Sequence, residues 1–468
     1  MRDSPIDYNT NTTMKRLIII GAGPGGYECA VRAARHGLDV HIIDHAGHLG
    51  GTCLNEGCIP TKCLCRTAEV AETVRQASLY GVGVPDKSES IDLHAAILRK
   101  NGVVDKLRDG IRTLLQMPGI TMHDGYARFE NGNPHTIRVS AECMTADYVI
   151  IATGSRPKPL DIPGADTPGV LNSAEMLDIT EIPKRLCVIG GGVIGLEFAS
   201  IFNSLGSEVC VLEYCKEILP NFDKDIAKRL RTAMKKKGVT FFTGTPVTAI
   251  HADSTRNGEL HVSYEHRNSV HDRLADCVLM AVGRTANVES LNLAEAGIKF
   301  NTHGIETDDN MMTNVAGVYA VGDVNGRCQL AHAATAQSFR ALAHILGEED
   351  PTDLNVMPAA VFTDPEAAMV GLTEEQAESA IGQTTVHKAF YRANGRALSM
   401  GAEADGLVKI IADKHGRLIG GHILGPHAEE LIHEISLAMN MRATITQLSH
   451  SIHAHPTLSE LLATAADS

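Results

Sequence analysis

Lys15-Arg16-Leu17-Ile18-Ile19-Ile20-Gly21-Ala22-Gly23-Pro24-Gly25-Gly26 is the stretch on which the fold turns. The apolar, β-branched run up to Ile20 fits a strand buried on both faces. The glycines interrupt it, and Tyr27 to Arg35 then reads as a helix closed by Gly37. A second strand, Leu38 to Ile43, ends at Asp44. This is a βαβ unit with GxGxxG at its first turn and an acid after its second strand, the pattern of a dinucleotide-binding fold. The glycines let the backbone approach a pyrophosphate at the helix N-terminus, where N–H groups and the helix dipole favour an anion. The acid accepts hydrogen bonds from a ribose.

A lone GxGxxG is weak evidence, because glycine-rich turns also serve packing. Here the unit recurs: Leu186 to Ile189 leads into Gly190-Gly191-Gly192-Val193-Ile194-Gly195, a helix from Leu196 to Leu205, a stop at Gly206, a strand from Glu208 to Leu212, and Glu213. Glu213 follows Gly190 by the same interval as Asp44 follows Gly21. Two such folds in one chain imply two dinucleotides brought together to exchange electrons. Glu213 suits a ribose 2′-hydroxyl and repels a 2′-phosphate, and no Arg follows in Tyr214-Cys215-Lys216-Glu217, so NAD is preferred to NADP.

Directly after the first unit comes Gly50-Gly51-Thr52-Cys53-Leu54-Asn55-Glu56-Gly57-Cys58-Ile59-Pro60-Thr61-Lys62. On a regular helix an i,i+5 pair lies about 140° apart with Cα atoms roughly 8.6 Å from each other. A disulfide needs about 4.4–6.8 Å. A bridge between Cys53 and Cys58 therefore requires an irregular turn, which Asn55, Gly57 and Pro60 permit or impose. The pair reads as a labile redox disulfide facing a cofactor, as two inert buried thiols, or as half of a zinc site that lacks its second ligand pair. Cys63 and Cys65 read as small core-facing hydrophobes on the helix that follows.

The chain has 468 residues, enough for about three domains at roughly 150 residues each. With 44% hydrophobic and 21% charged residues it is neither disordered nor fibrous. Lys and Arg total 42 against 56 Asp and Glu, and the net charge of −14 argues against nucleic acid or an anionic membrane as partner. No apolar run approaches the about 18 residues of a membrane span. Residues 1–13 are polar, contain Asp3 and Asp7, and read as a disordered extension rather than a secretory signal or transit peptide. The expected compartment is the cytoplasm, where eleven cysteines would not form a structural disulfide framework.

GGTCLNEGCIPTK, the two fingerprints and His453-Ala454-His455-Pro456-Thr457-Leu458-Ser459-Glu460 closely resemble the flavoprotein disulfide reductases (the pyridine nucleotide-disulfide oxidoreductases) and, within them, the dihydrolipoamide dehydrogenase subfamily. The likeness covers nearly the whole chain. Ala152 to Ser155 (ATGS), Ala281 to Asn287 (AVGRTAN), Thr313 to Asp323, Val361 to Gly371 (VFTDPEAAMVG) and Ala393 to Leu398 (ANGRAL) extend it.

The resemblance implies an α/β chain with two Rossmann-like domains and an α+β C-terminal dimerisation domain. Residues 14–151 would form the FAD domain with its redox disulfide, 152–283 the NAD domain, 284–355 a central domain completing the FAD site, and 356–468 the interface domain. FAD would be held by Gly21, Gly23, Gly26, Asp44, Gly51, Thr52, Lys62, Ala152, Thr153, Gly154, Gly322, Asp323, Ala331 and His332, and NAD by Gly190, Gly192, Gly195, Glu197, Glu213 and Gly283. Asp44 stands where the family more usually has glutamate, one methylene longer. Cys53 would exchange with substrate, Cys58 would sit by the flavin, and Lys62 would lie near flavin N5 and pair with Glu197.

A dithiol attacks as thiolate, and with a thiol pKa of about 8.5 a base is needed near neutrality. The resemblance makes His455 that base, Glu460 its carboxylate, and His453 a neighbour. Because this histidine would serve the partner subunit's site, a homodimer is implied. The crowding of His450, His453 and His455 also fits a metal tract, although Pro456 and the lack of thiolate neighbours argue against one, and no metal is expected. The implied partners are lipoyl domains of a dihydrolipoamide acyltransferase or a glycine cleavage H protein. The alternatives are a glutathione- or mercuric-reductase-like enzyme, disfavoured by Glu213 and the cysteine-free tail Leu461 to Ser468, or a mainly docking subunit.

Overall fold

Strand β1 (Arg16–Ile20), helix α1 (Pro24–Arg35) and strand β2 (Asp39–Asp44) form the first βαβ unit. They belong to a computed structural model that describes residues 14–45, 47–83, 91–253, 258–401 and 406–468, so the extension expected at residues 1–13 lies outside the described residues. Helix α1 begins at Pro24 rather than Tyr27, because the fixed φ of proline suits the first helical turn and its missing N–H costs nothing there. By their contacts the described residues fall into two compact units. The first is drawn from Met1–Asn55, Lys106–Arg156 and Thr285–Thr352, the second from Glu56–Asp105, Pro157–Arg284 and Asp353–Ser468.

In the first unit a parallel sheet runs in the order Val318–Ala320, Tyr148–Ile151, β1, β2, Ile120–Asp124. Leu17, Ile18, Ile19, Ile42, Val149 and Ile150 are wholly buried in it, as the unbroken apolar runs require of a sheet covered on both faces. Between its outer strand Ile120–Asp124 and its return strand Tyr148–Ile151 the chain makes a three-stranded antiparallel sheet, Ala127–Glu130, Asn133–Val139 and Glu142–Thr145. Phe129 and Ile137 from that insertion share one core with Ile18, Ile20 and Val149. The segment after β2 ends in a short helix, α2 (Gly51–Asn55).

The second unit opens with helix α3 (Cys58–Gln76) and then repeats four of the five strands of the first unit's parallel sheet; its fifth, Val170–Asn172, precedes the fingerprint strand, whereas Val318–Ala320 follows the return strand. Its parallel sheet runs Thr240–Thr243, Glu208–Glu213, Arg185–Ile189, Cys277–Met280, Val170–Asn172. Its antiparallel insertion, Val247–Ala252, Leu260–His266 and Ser269–Ala275, again lies between outer and return strands. The repeat thus extends well past the fingerprint. Helix α3 sends Leu64, Cys65 and Ala68 into the core that holds Phe198, Ile201 and Phe202 of the second fingerprint helix, Val193–Ser204. Burying a leucine, isoleucine or phenylalanine side chain is worth roughly 1.5–3 kcal/mol.

The C-terminal part of this unit is α+β. Five strands lie antiparallel in the order Ala359–Val361, Ala367–Gly371, Leu418–Leu424, Leu407–Asp413, Thr384–Phe390. The helices Ala428–Asn440, Ile445–Ser449 and Glu460–Ala466 complete it, around a core that includes Tyr391, Ile410, Ile423, Ile432, Ile435 and Leu462. Among the described residues no helix is long and apolar enough to cross a membrane.

Candidate active site

The two glycine turns are built alike. Gly21 and Gly190 hold φ at +106° and +109°, and a Cβ on either would lie 2.3 Å from the carbonyl oxygen of the return strand's successor, Ala152 or Ala281. A Cβ on Gly26 or Gly195 would strike the carbonyl oxygen of the motif's own first glycine, at 1.8 or 2.0 Å. Steric need for glycine is therefore complete at these four positions.

The middle glycines differ from them. Gly23 and Gly192 cap their helices with ordinary extended backbone (φ −70° and −79°), and a Cβ on Gly192 would meet nothing within 4 Å, one on Gly23 only the Gly51 Cα at 3.8 Å. The protein itself does not require glycine there. What requires it is a group that comes against the backbone from outside, at a helix N-terminus with Pro24 or Val193 next in line. A Cβ on Gly154 or Gly283 would also meet nothing within 4 Å, but these two hold φ at +69° and +109°, so their backbone itself favours glycine. These surroundings fit a dinucleotide pyrophosphate at each turn.

Each acid is held by the turn it serves. Asp44 accepts the Ala22 N–H at 2.6 Å on one oxygen, and the His45 N–H at 2.7 Å on the other, which also lies 3.1 Å from the His45 ring. Glu213 is nearly buried and accepts the N–H groups of Gly191 and Cys215, each at 2.5 Å. A carboxylate oxygen has two lone pairs, so acceptor capacity for a ribose remains at both.

Cys53 is half-buried in α2 and Cys58, exposed, is the first residue of α3. The irregular turn falls at Glu56 and Gly57, the latter at φ −143°, ψ −113°. Asn55 braces α2 from within the first unit: its amide donates to the carbonyls of His48, Leu49 and Gly51, and Arg108 donates to its oxygen at 2.7 Å. Gly51 and Thr52 open α2, and a Cβ on Gly51 would fall 2.7 Å from the Gly23 Cα, so the helix starts in contact with the fingerprint turn.

In the second unit Lys62 donates to both oxygens of Glu197 at 2.9 Å, and its ammonium lies 4.4 Å from the centre of the Phe362 ring. Glu197 is almost fully buried and also accepts the Phe362 N–H at 3.0 Å. Burial disfavours the Lys62 ammonium, but the Glu197 carboxylate outweighs it and the pKa is raised. Cys63 and Cys65 are buried, and burial pushes the Cys65 thiol far up, out of the range of nucleophilic use.

Asp323 lies in a short helical turn, Gly322–Asn325, and accepts the Ser155 hydroxyl at 2.5 Å. Buried Gln337 accepts from Gly322 N–H and from Asn325, both at 2.8 Å. Ala331 and His332 start the helix Ala331–Leu346. Thr153 and Asn287 clamp each other, hydroxyl to carbonyl at 2.8 Å and amide to carbonyl at 3.0 Å, which fixes the turn at Ala152 to Gly154. Ser155, Asn287 and Gln337 were invisible as site-forming residues in sequence, though the first two fall inside the ATGS and AVGRTAN matches.

On the C-terminal strap, His455 Nδ1 lies 2.9 Å from Glu460, and its imidazole is 80% exposed. Glu460, in the first turn of its helix, also accepts the Thr457 N–H at 2.8 Å; that bond and then His455 hold its carboxyl below the usual range. Asn394 of the ANGRAL segment donates to the Thr457 carbonyl at 3.0 Å. An imidazole with Nδ1 fixed on a carboxylate presents Nε2 as a proton acceptor. His453 turns away, onto Glu434 at 2.8 Å, and among the described residues no group of His, Cys, Asp and Glu is placed to hold a metal.

Residues 15–338 match the family described as pyridine nucleotide-disulphide oxidoreductase, and residues 357–466 match the dimerisation domain of the same family. The chain is 42% identical over 457 residues to a dihydrolipoyl dehydrogenase of Thermus scotoductus, covering 96% of each chain. It is 37% identical over 465 residues to a dihydrolipoyl dehydrogenase of Bacillus subtilis, covering 96% of this chain and 97% of that one. Among solved structures it resembles the HOCl-induced flavoprotein disulfide reductase RclA from Escherichia coli, with a TM-score of 0.85 and 32% identity over 97% of this chain and 99% of that one.

Proposed function

This chain belongs to the pyridine nucleotide-disulphide oxidoreductase family, and on that premise we propose that it oxidises protein-bound dihydrolipoyl groups to lipoyl groups with NAD⁺ as final acceptor. The observation that carries the reading is the His455–Glu460 pair, an exposed imidazole whose tautomer a carboxylate fixes, in a chain that also carries CxxxxC and two dinucleotide turns. The full-length likeness to dihydrolipoyl dehydrogenases supports it.

FAD and NAD, when bound, supply the two-electron relay and the hydride acceptor. The residues assigned to hold FAD are Gly21, Gly23, Gly26, Asp44, Gly51, Thr52, Lys62, Ala152, Thr153, Gly154, Gly322, Asp323, Ala331 and His332; those for NAD are Gly190, Gly192, Gly195, Glu197, Glu213 and Gly283. The division into FAD, NAD, central and interface domains at residues 151, 283 and 355 belongs to the same reading. Glu213, buried and twice hydrogen-bonded, supports NAD over NADP.

In the chemistry assigned to the chain itself, His455 Nε2 takes a proton from the dihydrolipoyl thiol. The thiolate attacks Cys53 Sγ, the Cys53–Cys58 bond breaks, and Cys58 leaves as thiolate. The second substrate thiol then displaces Cys53, its proton passing to the departing Cys53 sulfur, which closes the lipoyl disulfide and leaves the electron pair on the two cysteines. Glu460 stabilises the imidazolium meanwhile. His455 would serve the site of a second copy, so the working form is a homodimer, for which the matched dimerisation domain is support. The partners are lipoyl domains of an acyltransferase or a glycine cleavage H protein, and the setting is the cytoplasm, whose reducing poise suits a chain of eleven cysteines.

The test is nicotinamide reduction by dihydrolipoamide, run with NAD⁺ and NADP⁺ on the wild type and Cys53→Ser. Turnover with NAD⁺ at least ten-fold above NADP⁺, lost in Cys53→Ser with flavin retained, is expected. Full activity of Cys53→Ser would sink the mechanism.

A further inference from the structure

The strap between the helices Ile445–Ser449 and Glu460–Ala466 carries the exposed residues Ser451, Ile452, Ala454, His455 and Pro456. Ile452 is 100% exposed and the His455 imidazole 80%. His453 is set between them with its side chain only 10% exposed. It is the one peg in the open stretch from Ser451 to Pro456, before Leu458 re-enters the core.

The peg is polar and directional. His453 Nε2 lies 2.8 Å from Glu434 Oε1, on the helix Ala428–Asn440. A carboxylate only accepts, so Nε2 carries the hydrogen. Nδ1 is buried and has no partner among the described residues. An apolar side chain of similar size would fill the space without the cost of a stranded nitrogen. What it would lack is a fixed direction, and direction matters here, because His455 must bring Nε2 to about 2.6–3.2 Å from a substrate thiol. Misplacement by about 1 Å can lower a rate about a hundred-fold.

We propose that the His453–Glu434 pair is a positioning device for the catalytic imidazole. It anchors the strap to the helix Ala428–Asn440 on one side of His455, as Glu460, with Thr457 and Asn394, anchors it on the other. The strap is thereby clamped by two imidazole–carboxylate pairs on different helices, only one of which moves protons. This rests on the reading of His455 as the base.

The experiment compares His453→Leu, Glu434→Ala and Glu434→Gln as flavin-loaded dimers. It measures kcat with dihydrolipoamide, KM for NAD⁺, and NADH oxidation by ferricyanide, which needs no proton from the strap. His453→Leu and Glu434→Ala should lose at least ten-fold in kcat while KM for NAD⁺ and the ferricyanide rate stay at wild-type values. Glu434→Gln, which keeps an acceptor for Nε2–H, should recover most of the loss. Wild-type kcat in His453→Leu overturns the inference, as does parallel loss of both activities and of flavin, which would make the pair merely structural. A wild-type protein that oxidises NADH with ferricyanide but is inert towards dihydrolipoamide would instead overturn the functional reading, and this inference with it.

Discussion

The two dinucleotide folds agree where backbone meets backbone and part where a ligand would begin. Their first and last fingerprint glycines sit in the same steric vice, to within a few tenths of an ångström. Even the hydrogen bond from the first glycine's N–H is repeated, Gly21 to Ile43 and Gly190 to Leu212, both at 2.8 Å. At the acids the copies diverge. Asp44 is short, and the turn position that donates to it carries a methyl, Ala22. Glu213 is longer, and its donor is Gly191, where a Cβ would lie 3.1 Å from Glu213 Oε2 and 3.0 Å from Ile218, so that one of those side chains would have to shift by a few tenths of an ångström. The shorter acid thus goes with the larger turn residue and the longer acid with the smaller one. The shared part of the motif is folding machinery, and on the proposed assignment of FAD to the first copy and NAD to the second the divergent part is where the cofactors would be told apart.

The sharpest way to break that division is to put a methyl on the shared glycines. Gly21→Ala and Gly190→Ala each combine a left-handed φ with a 2.3 Å overlap onto a backbone oxygen that cannot yield. Each should cost about 3 kcal/mol or more of stability, seen as a large fall in melting temperature and soluble yield. Equal damage in both copies is expected. If one tolerated the methyl, the two turns would not be geometric equivalents.

The middle glycines separate folding from binding. Gly23→Ala and Gly192→Ala place a Cβ in ordinary contact or open space, so the melting temperature of the cofactor-free protein should move by no more than about 1 °C. Gly192→Ala should raise KM for NAD⁺ at least ten-fold and leave flavin content alone. Gly23→Ala should do the converse, weakening FAD retention on dilution. A fold defect in either variant, or loss of the wrong cofactor, would undo the assignment of copies to cofactors.

How much of this was legible in the sequence follows from the range of the interactions. The fingerprint, its repetition and the acids are local patterns, and the structure meets them within a few residues. The parallel return strands and the antiparallel insertions, which make the copies match far beyond the fingerprint, are short segments without a period of their own. Their identity comes only from pairing, Leu17 with Tyr148 and Leu186 with Cys277. The braces escaped for the same reason. Asn55 meets Arg108, Ser155 meets Asp323 and Asn394 meets Thr457 across spans no spacing rule covers. Lys62 with Glu197 is equally remote, and only family resemblance brought those two together before the fold was known.

The smallest expected effect probes a likeness that sequence hides. Arg16 and Arg185 each open a fingerprint strand, and each donates its backbone N–H to an aspartate just before the return strand, Asp147 at 2.7 Å and Asp276 at 2.8 Å. Their guanidinium groups differ: Arg185 grips Asp276 and Glu259, whereas Arg16 reaches Asp39, which His41 also approaches. Arg185 holds the Asp276 carboxyl below its usual range. At Asp39 burial pushes the other way, but Arg16 and His41 outweigh it and the pKa is again lowered. A carboxylate depressed in the folded state adds stability that is present above its unfolded value, about 3.9, and is lost as pH falls through the folded value. These pairs are about a third exposed, so each contributes less than about 1 kcal/mol. Denaturant midpoints should show Arg185→Gln less stable than wild type at pH 7, Arg16→Gln less affected because it loses one carboxylate partner rather than two, and both gaps closing below about pH 3. Gaps that persist in acid would mean the arginines act by packing their stems, and that the two strands share a shape here without sharing its electrostatics.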